Sequence, residues 1–359
     1  MSDLNILFHT PQPLDTLDSG SSVRPVKMID AFEHLGYSVD KVTGDTEERC
    51  QRFKDIRRNK RKYEFCYSEP TTWPLHPLVD YPLYWYLRVN NIPTGIFYRD
   101  IYWQFPKLFD YSGLKYWELQ SRYRLDLIVI SRIANKVYVP SSSFSERLNL
   151  NPSPSPLPPG GVDRTSVTDS DSRLQRLIYV GGLSERYGPD LLSKACRVAA
   201  NQQEVALDLV CRKSEFHSLP EKVRERFDSD WVKIHHASGD ELQSLYQHAD
   251  AGIIPIQPTS YNHMSMPVKL FEYLSYGLPV VTTNLDEVAS FVRSSDCGIV
   301  CEANHNDLAR ALTKLTTDQE LYQRKKESAV QTLMKNRWID RAEQVVSDLV
   351  PNQNSTDTS

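Results

Sequence analysis

Apolar positions along the chain form two alternating series of short runs and longer periodic stretches, divided by a segment with almost nothing to bury. The first series begins with LNILFHT at 4–10, a run of strand length. After the loop PQPLDTLDSGSS the apolar period lengthens to that of a helix, from Val23 to Leu35, and stops at Gly36. A second strand is predicted at 37–42, which makes the opening a βαβ unit. Further strands are predicted at 63–67 and 94–98, with a helix around 78–90 between them. A helix is predicted at 114–125, and LDLIVIS at 125–131 and KVYVPSS at 136–142 read as the last strands of this half.

Residues 151–174, NPSPSPLPPGGVDRTSVTDSDSRL, are Pro-, Ser-, Gly- and Asp-rich, so 151–175 reads as a linker. The alternation then restarts with a strand and Gly turn at 176–188 and a helix at 189–202. Strands at 205–211, 231–236, 251–256, 279–282 and 297–301 follow, with helices at 241–249, 267–276, 285–293 and 306–315. The pattern predicts an α/β protein of two Rossmann-like parallel-sheet domains, 1–150 and 176–318, with ligands in a cleft between them at strand carboxyl ends. Residues 319–348 read as a helical tail returning across the first domain, and 349–359 as a disordered end.

A length of 359 residues leaves room for two cores. With 40% hydrophobic residues, 25% charged residues and a formal charge of −4, the composition is that of an ordinary soluble protein and gives no support to nucleic acid as a partner. No apolar run approaches the roughly 20 residues that span a bilayer, and MSDLNILFHTPQ lacks the basic flank and cleavage site of a signal peptide. A cytoplasmic location is therefore expected. The six cysteines show no zinc-ligand spacing, which suits buried thiols in a reducing compartment. One stretch departs from the average: QRFKDIRRNKRK at 51–62 has seven basic side chains against one acid. It reads either as a solvated helix face or as a contact for anionic lipid headgroups, which would make the protein peripheral on the inner face of the membrane.

Several residues have types and positions that suit ligand chemistry. Gly20 precedes a helix, where it would let an anion approach the backbone, or it simply forms a turn capped by Ser22. Arg24 lies in that helix's first turn, where its charge opposes the dipole and calls for an anionic partner. Arg99 and Asp100 follow directly on a strand, the ligand-binding edge of an open α/β sheet. Asp100 could act as a general base, or could cap a loop and pair with Arg99. The neighbouring Tyr98, Tyr102, Trp103 and Phe105 read as sugar-stacking rings or as core. In YVGGLSERYG, Gly181 and Gly182 mark a close backbone approach, and Arg186 follows. Arg212 and Lys213 end a strand, where two adjacent cations suit a diphosphate or sit on a solvated loop.

The segment HMSMPVKLFEYLSYGLPVV at 263–281 is the most informative. Pro267 is a natural first-turn residue, so Lys269 and Glu272 share a face near a helix start whose amides favour an anion. Lysine would add charge for a phosphate, and glutamate could accept from the paired hydroxyls of a ribose. As a plain intrahelical ion pair the two would contribute only a few tenths of a kcal/mol.

This segment resembles the donor-nucleotide motif of GT-B fold glycosyltransferases, especially the retaining family numbered four and its relatives in bacterial polysaccharide assembly. Pro267, Lys269, Glu272, Tyr273, Gly277, Pro279, Val280 and Val281 fit its Pro–x–Lys–x–x–Glu–Tyr helix and following Gly–x–Pro–Val–Val. The likeness runs over about 176–315 and is looser in the first half, where Gly20 matches a glycine loop. It implies a nucleoside-diphosphate sugar as donor substrate, no further cofactor, no metal, and a saccharide or lipid-linked saccharide acceptor. It assigns Lys269 and Arg186 to donor phosphate, Glu272 to ribose, and the loop amides around Met264, Ser265 and Met266 to the sugar.

The chain also departs from that pattern. Met264 stands where many retaining members carry a paired glutamate, and Arg99 where they carry a histidine. Related inverting enzymes use an aspartate of the first domain as base, a role that Asp100 would fit, so the stereochemistry stays open. The same two departures favour a second reading, a non-catalytic GT-B partner subunit that binds sugar or nucleotide. A phosphorylase or epimerase is a third reading on the same fold. An NAD-binding protein is disfavoured because Gly181–Gly182 lacks Gly–x–Gly–x–x–Gly spacing.

Overall fold

The computed structural model describes residues 4–14, 20–106, 113–165, 176–202 and 205–350. The chain divides into two units, the first formed by residues up to Pro159 together with those from Trp338 onward, the second by Gly160–Arg337.

In chain order the first unit runs β1 (Asn5–Thr10), α1 (Gly20–His34), β2 (Ser38–Thr43), α2 (Thr46–Asn59), β3 (Phe65–Ser68), α3 (Asp80–Val89), β4 (Thr94–Phe97), α4 (Gly113–Ile133), β5 (Lys136–Val139), α5 (Ser142–Glu146) and β6 (Ser155–Pro156). All strand pairs are parallel in the order β2-β1-β3-β4-β5-β6, with Leu7 of β1 in register between Asp40 and Cys66. Every residue of β3 and β4 is buried. Helices cover both sheet faces, which is why these strands read as continuous rather than alternating apolar runs. Right-handed crossovers put α2, α3 and α4 on one face and α1 on the other.

Two expectations change here. The strand expected at 125–131 is the second half of α4, whose Tyr123, Asp126, Ile130 and Ile133 are buried at helical spacing. Leu125 and Ile128 point outward, so the run lacks the polar stripe that marks a helix. The 151–175 linker is partly structured. Ser155–Pro156 pairs with β5 at the sheet edge, where a missing proline amide costs little, and the Gly161 amide bonds the Asn336 carbonyl at 2.9 Å inside the second unit. The rest of the expected linker, 166–175, lies outside the described residues.

The second unit runs β7 (Arg176–Val180), α6 (Pro189–Gln202), β8 (Ala206–Val210), α7 (Lys213–His217), α8 (Glu221–Phe227), β9 (Val232–His235), α9 (Gly239–His248), β10 (Ala251–Ile254), α10 (Val268–Ser275), β11 (Val280–Thr283), α11 (Asp286–Ser295), β12 (Gly298–Cys301), α12 (His305–Thr317) and α13 (Gln319–Leu333). Its parallel sheet has the order β12-β11-β10-β7-β8-β9. One face packs on α6, α8 and α12, the other on α10 and α11. Strand order reverses between β7 and β10, and such a switch point opens a crevice at the carboxyl ends.

The helical tail expected at 319–348 is two helices with different hosts. α13 packs on α10 and α12 of the second unit, whereas α14 (Trp338–Leu349) packs on α1 and β4 of the first. The expected disordered end falls, for 351–359, outside the described residues. Among the described residues no helix is long and apolar enough to cross a membrane, and all six cysteines are free thiols.

Candidate functional site

At the switch point of the second unit, β7 and β10 pair only at Leu177–Ala251 and Ile178–Gly252. Beyond that the hydroxyl of Tyr273, from α10, fills the gap. It accepts from the Val180 amide at 3.1 Å and donates to the Ile253 carbonyl at 3.2 Å. The Tyr273 ring lies against Gly252, where any Cβ would collide with it. Both backbone groups that the splayed strands leave unpaired are thus satisfied, and α10 is fixed with its first turn at the strand ends.

β7 then runs into Gly181, at φ 141°, a conformation that side chains rarely permit. A Cβ there would lie 2.7 Å from Nζ of Lys269. That ammonium sits 4.4 Å from the Tyr179 ring centroid and 5.2 Å from that of Tyr187, and donates to the Tyr179 hydroxyl at 3.4 Å. Burial lowers the Lys269 pKa to about 8, and the charge of Arg186 adds to the fall while Glu272 and Glu215 oppose it. Glu272 takes a hydrogen bond from the Tyr246 hydroxyl at 3.2 Å rather than from Lys269. Burial raises its pKa, against that bond and the charges of Lys269 and Arg164. Lys269 and Glu272 are thus held by separate partners, each at one side of the α10 start.

Gly182 meets the Tyr187 ring, 2.9 Å from where its Cβ would be. Arg186 stacks on the same ring at 4.6 Å. Arg212, half exposed, pairs with Glu215 at 3.4 Å, and Glu215 also accepts from the Leu183 amide at 2.7 Å. Glu215 therefore ties the glycine turn to the start of α7. Sequence reasoning did not single it out, because an acid in a short polar helix looks like any solvated residue. Lys213 opens α7 and is exposed.

The loop before α10 differs from expectation. The amides of His263, Met264 and Ser265 already bond the carbonyls of Thr259, Tyr261 and Asn262 at 3.0–3.1 Å, so this stretch forms a closed turn instead of presenting those amides outward. The Met264 side chain is buried, Ser265 donates its hydroxyl to the Asn262 carbonyl at 2.8 Å, and Met266 packs partly against the core beneath α10.

In the first unit, Gly20 begins α1. The anionic partner called for by Arg24 is internal. Its Nε donates to Glu69 at 3.1 Å, its Nη2 to the Tyr67 hydroxyl at 3.3 Å, and its guanidinium lies 3.6 Å from the Phe97 ring centroid. At 4% exposure Arg24 is a core ion pair, which corrects its place among nucleotide-binding residues. Arg99 also pairs with Glu69, at 3.3 Å. Asp100 accepts from the Thr72 hydroxyl at 2.7 Å and lines a small cavity with Pro70, Tyr98, Arg99 and Tyr123. Asp126, on the same cavity, is pushed up to about 6 by burial.

A buried network that sequence reasoning missed lies behind these groups. His9 reaches Ser68 at 2.8 Å and Asp80 at 3.2 Å, Ser68 bonds the Tyr84 hydroxyl, and Asp80 also takes Arg49 at 3.1 Å and the His76 amide at 2.7 Å. Its members come from five segments, so no local spacing announces it. Among the described residues no group of three His, Cys, Asp or Glu side chains is placed to hold a metal ion.

Comparison with known proteins adds to this geometry. Residues 166–332 match the family model described as glycosyl transferases group 1. Among solved structures, the chain is similar to sucrose-phosphate synthase from Thermosynechococcus elongatus, with a TM-score of 0.68, 16% identity, and coverage of 95% of this chain and 97% of that one. WaaG, a glycosyltransferase involved in lipopolysaccharide biosynthesis, matches with a TM-score of 0.62 at 16% identity over 96% and 100% of the two chains. HepE from Anabaena, in complex with UDP-glucose, matches with a TM-score of 0.67 at 14% identity over 96% and 99%. At these identities the likeness establishes the fold. No curated sequence matches the chain.

Proposed function

We propose, from the match of residues 166–332 to the glycosyl transferases group 1 model and from the GT-B fold, that the chain transfers a glycosyl group from a nucleoside-diphosphate sugar to a hydroxyl of a saccharide or lipid-linked saccharide. The observation that carries this reading is Lys269. Its ammonium is drawn out of water at the start of a helix, against a glycine turn, and its hydrogen bond goes to a phenol. A diphosphate placed there would meet the ammonium, the first-turn amides of α10 and the turn backbone together, and would restore the charge that burial disfavours.

In this proposal Glu272 accepts from the ribose hydroxyls, with Tyr246 holding one carboxylate oxygen. Lys269 and Arg186, with Arg212 and Lys213 at the end of β8, offset the negative charge that grows on the departing diphosphate. These cations do so without a metal. Asp100 takes the proton from the acceptor hydroxyl, and Arg99, through Glu69, holds the turn from which Asp100 projects. The protein would work in the cytoplasm, in bacterial cell-surface polysaccharide or glycoconjugate synthesis. The exposed basic side chains of 51–62 support contact with an anionic membrane surface. HepE's complex with UDP-glucose makes a UDP-sugar the first donor to test.

Thermal stabilisation by UDP-, GDP- and dTDP-sugars tests the reading, followed by transfer assays with the donor that binds. One donor should raise the melting temperature of the wild type and not of K269A. If none of the three classes shifts the wild type, the donor assignment falls. Binding without transfer to any saccharide or lipid-linked acceptor would favour a non-catalytic subunit instead.

A further inference from the structure

Just after Arg99 and Asp100 the chain makes a short 3-10 turn, Tyr102–Gln104, that lies against α4. The rings of Tyr102 and Trp103 on this turn, Trp73 from the segment before α3, and Tyr116, Leu119 and Tyr123 of α4 wall a cavity of about 100 Å³. Trp103 and Tyr123 stack with their centroids 5.8 Å apart and 15° between their planes. Trp73 is 58% exposed, so the cavity is reached from solvent beside it.

Hydrogen bonding within this wall indicates what the cavity takes. The Trp103 indole donates to the Tyr98 hydroxyl at 3.1 Å, Gln120 donates to the Trp103 carbonyl, and the Tyr123 hydroxyl donates to the Thr72 carbonyl at 2.8 Å. These polar groups are spent on the protein, and ring faces and the Leu119 side chain remain. A saccharide ring lodged there would give up the water on its hydroxyls without those groups to replace it. A hydrocarbon loses nothing on entry and gains contact with the rings. An apolar cavity of about 150 Å³ holds benzene, so the present one, open on one side, suits a single ring or a single isoprene unit.

The cavity shares Thr72, Trp73 and Tyr123 with the smaller one that Asp100 lines, and the Thr72 hydroxyl is bonded to the Asp100 carboxylate at 2.7 Å. We propose that it is a specificity site for the acceptor and takes an unsaturated hydrocarbon group of one ring's size, aryl or isoprenyl, carried on the saccharide beside the hydroxyl that reacts. This rests on the transferase reading above, with Asp100 as the proton acceptor, and narrows its acceptor class. Burying the hydrocarbon among the rings sets the saccharide at the neighbouring Asp100, whereas a plain saccharide has no group to lodge there. Leu119 limits how large that group can be.

The test titrates the full chain with 4-fluorobenzyl β-glucoside, followed by fluorine NMR, with prenyl and methyl β-glucosides as competitors. The aryl glucoside should bind at least about tenfold more tightly than the methyl glucoside, because its ring leaves water. Competition by the prenyl glucoside as strong as that of the aryl one assigns the site to an isoprenyl group, and weaker competition to an aryl group. L119W, which fills the cavity, should bring the aryl glucoside down to the level of the methyl one while its stabilisation by donor stays that of the wild type. L119A, which enlarges the cavity, should favour a naphthylmethyl glucoside over the benzyl one relative to the wild type. Of whichever saccharide the wild type glycosylates, the benzyl or prenyl derivative should have a KM about tenfold below that of the methyl derivative, and L119W should erase the difference. Equal binding of methyl and aryl glucosides by the wild type would overturn the proposal, as would a size preference unchanged in L119A. Failure of every nucleotide sugar to stabilise the wild type would overturn the transferase reading and leave the glucoside titrations standing.

Discussion

The Lys269 ammonium stands 2.7 Å from the point that a Cβ on Gly181 would occupy. Two residues 88 positions apart thus share one small volume, and the backbone turn and the cation are built as one device. K269A should weaken binding of the donor's diphosphate by about 1.5–3 kcal/mol, the value of a charge-assisted hydrogen bond. G181A should weaken it too, because the methyl must push the ammonium aside and the turn must hold a strained φ. Titration calorimetry with the nucleoside diphosphate checks both, and wild-type affinity in either variant would remove the phosphate from this position.

The lowered Lys269 pKa gives two pH dependences of opposite sign. Affinity for the diphosphate should decline as pH rises through about 8, where the free ammonium loses its proton. Lys269's own contribution to the stability of the ligand-free protein should instead rise between about 8 and the ordinary lysine value of 10.5, because the unfolded chain binds the proton that the folded one has released. Buried thiols and phenols such as Cys66 and Tyr273, whose pKa values burial raises, titrate in the same range with the opposite sign, so Lys269's share is the difference between the wild type and K269M. Measuring binding and urea midpoints across that range on the two proteins decides the point.

Asp100 accepts a hydrogen bond from Thr72 and lines the cavity at the end of β4. As the proton acceptor it predicts that D100N lowers turnover by about 10²–10⁴-fold and leaves donor affinity alone. Steady-state kinetics with saturating donor should show the loss in kcat. A turnover equal to the wild type would transfer the role elsewhere on that cavity.

Burial alone would raise the Asp80 carboxyl, yet hydrogen bonds from His9 and the His76 amide and the charge of Arg49 hold it at about 2, below its ordinary 3.8. The unfolded chain therefore takes up the proton first. Asp80's contribution, about 2 kcal/mol at neutral pH, is intact above about 4 and lost as pH falls from 4 towards 2. D80N should flatten that part of the acid-unfolding profile while lowering stability at neutral pH, as read by denaturant melts at a series of pH values.

Tyr273 offers a purely structural check within the second unit. Y273F strips the hydroxyl that both the Val180 amide and the Ile253 carbonyl use. Leaving two buried backbone groups unmatched should destabilise the protein by about 1–3 kcal/mol. Differential scanning calorimetry would report it, and an unchanged melting temperature would mean that the two strands close the gap without the ring.

Much of the architecture was legible because parallel strands covered on both faces leave continuous apolar runs, as AGII at 251–254 and LIYV at 177–180 do. The α10 start was legible for another reason: Pro267 and Gly277 fix its ends, and a lysine inside an apolar helix has no packing rationale. LDLIVIS misled because its outward residues are apolar as well, so the run lost helical contrast. Arg24 misled differently. Its need for an anion was inferred correctly, but Glu69 lies 45 residues away and only the sheet brings them together. The turn at 263–265 was hidden because carbonyl partners at Thr259, Tyr261 and Asn262 are a matter of backbone path, which side-chain types do not encode.

The placement of α14 bears on how the protein is made. Trp338–Leu349 covers α1, so the face of α1 that this helix buries has no cover until residues more than 300 positions later have been synthesised. The 178 residues of Gly160–Arg337 are all synthesised in the meantime. Removing Trp338–Leu349 should therefore be felt at the opposite end of the sequence, in the α1 face that it buries.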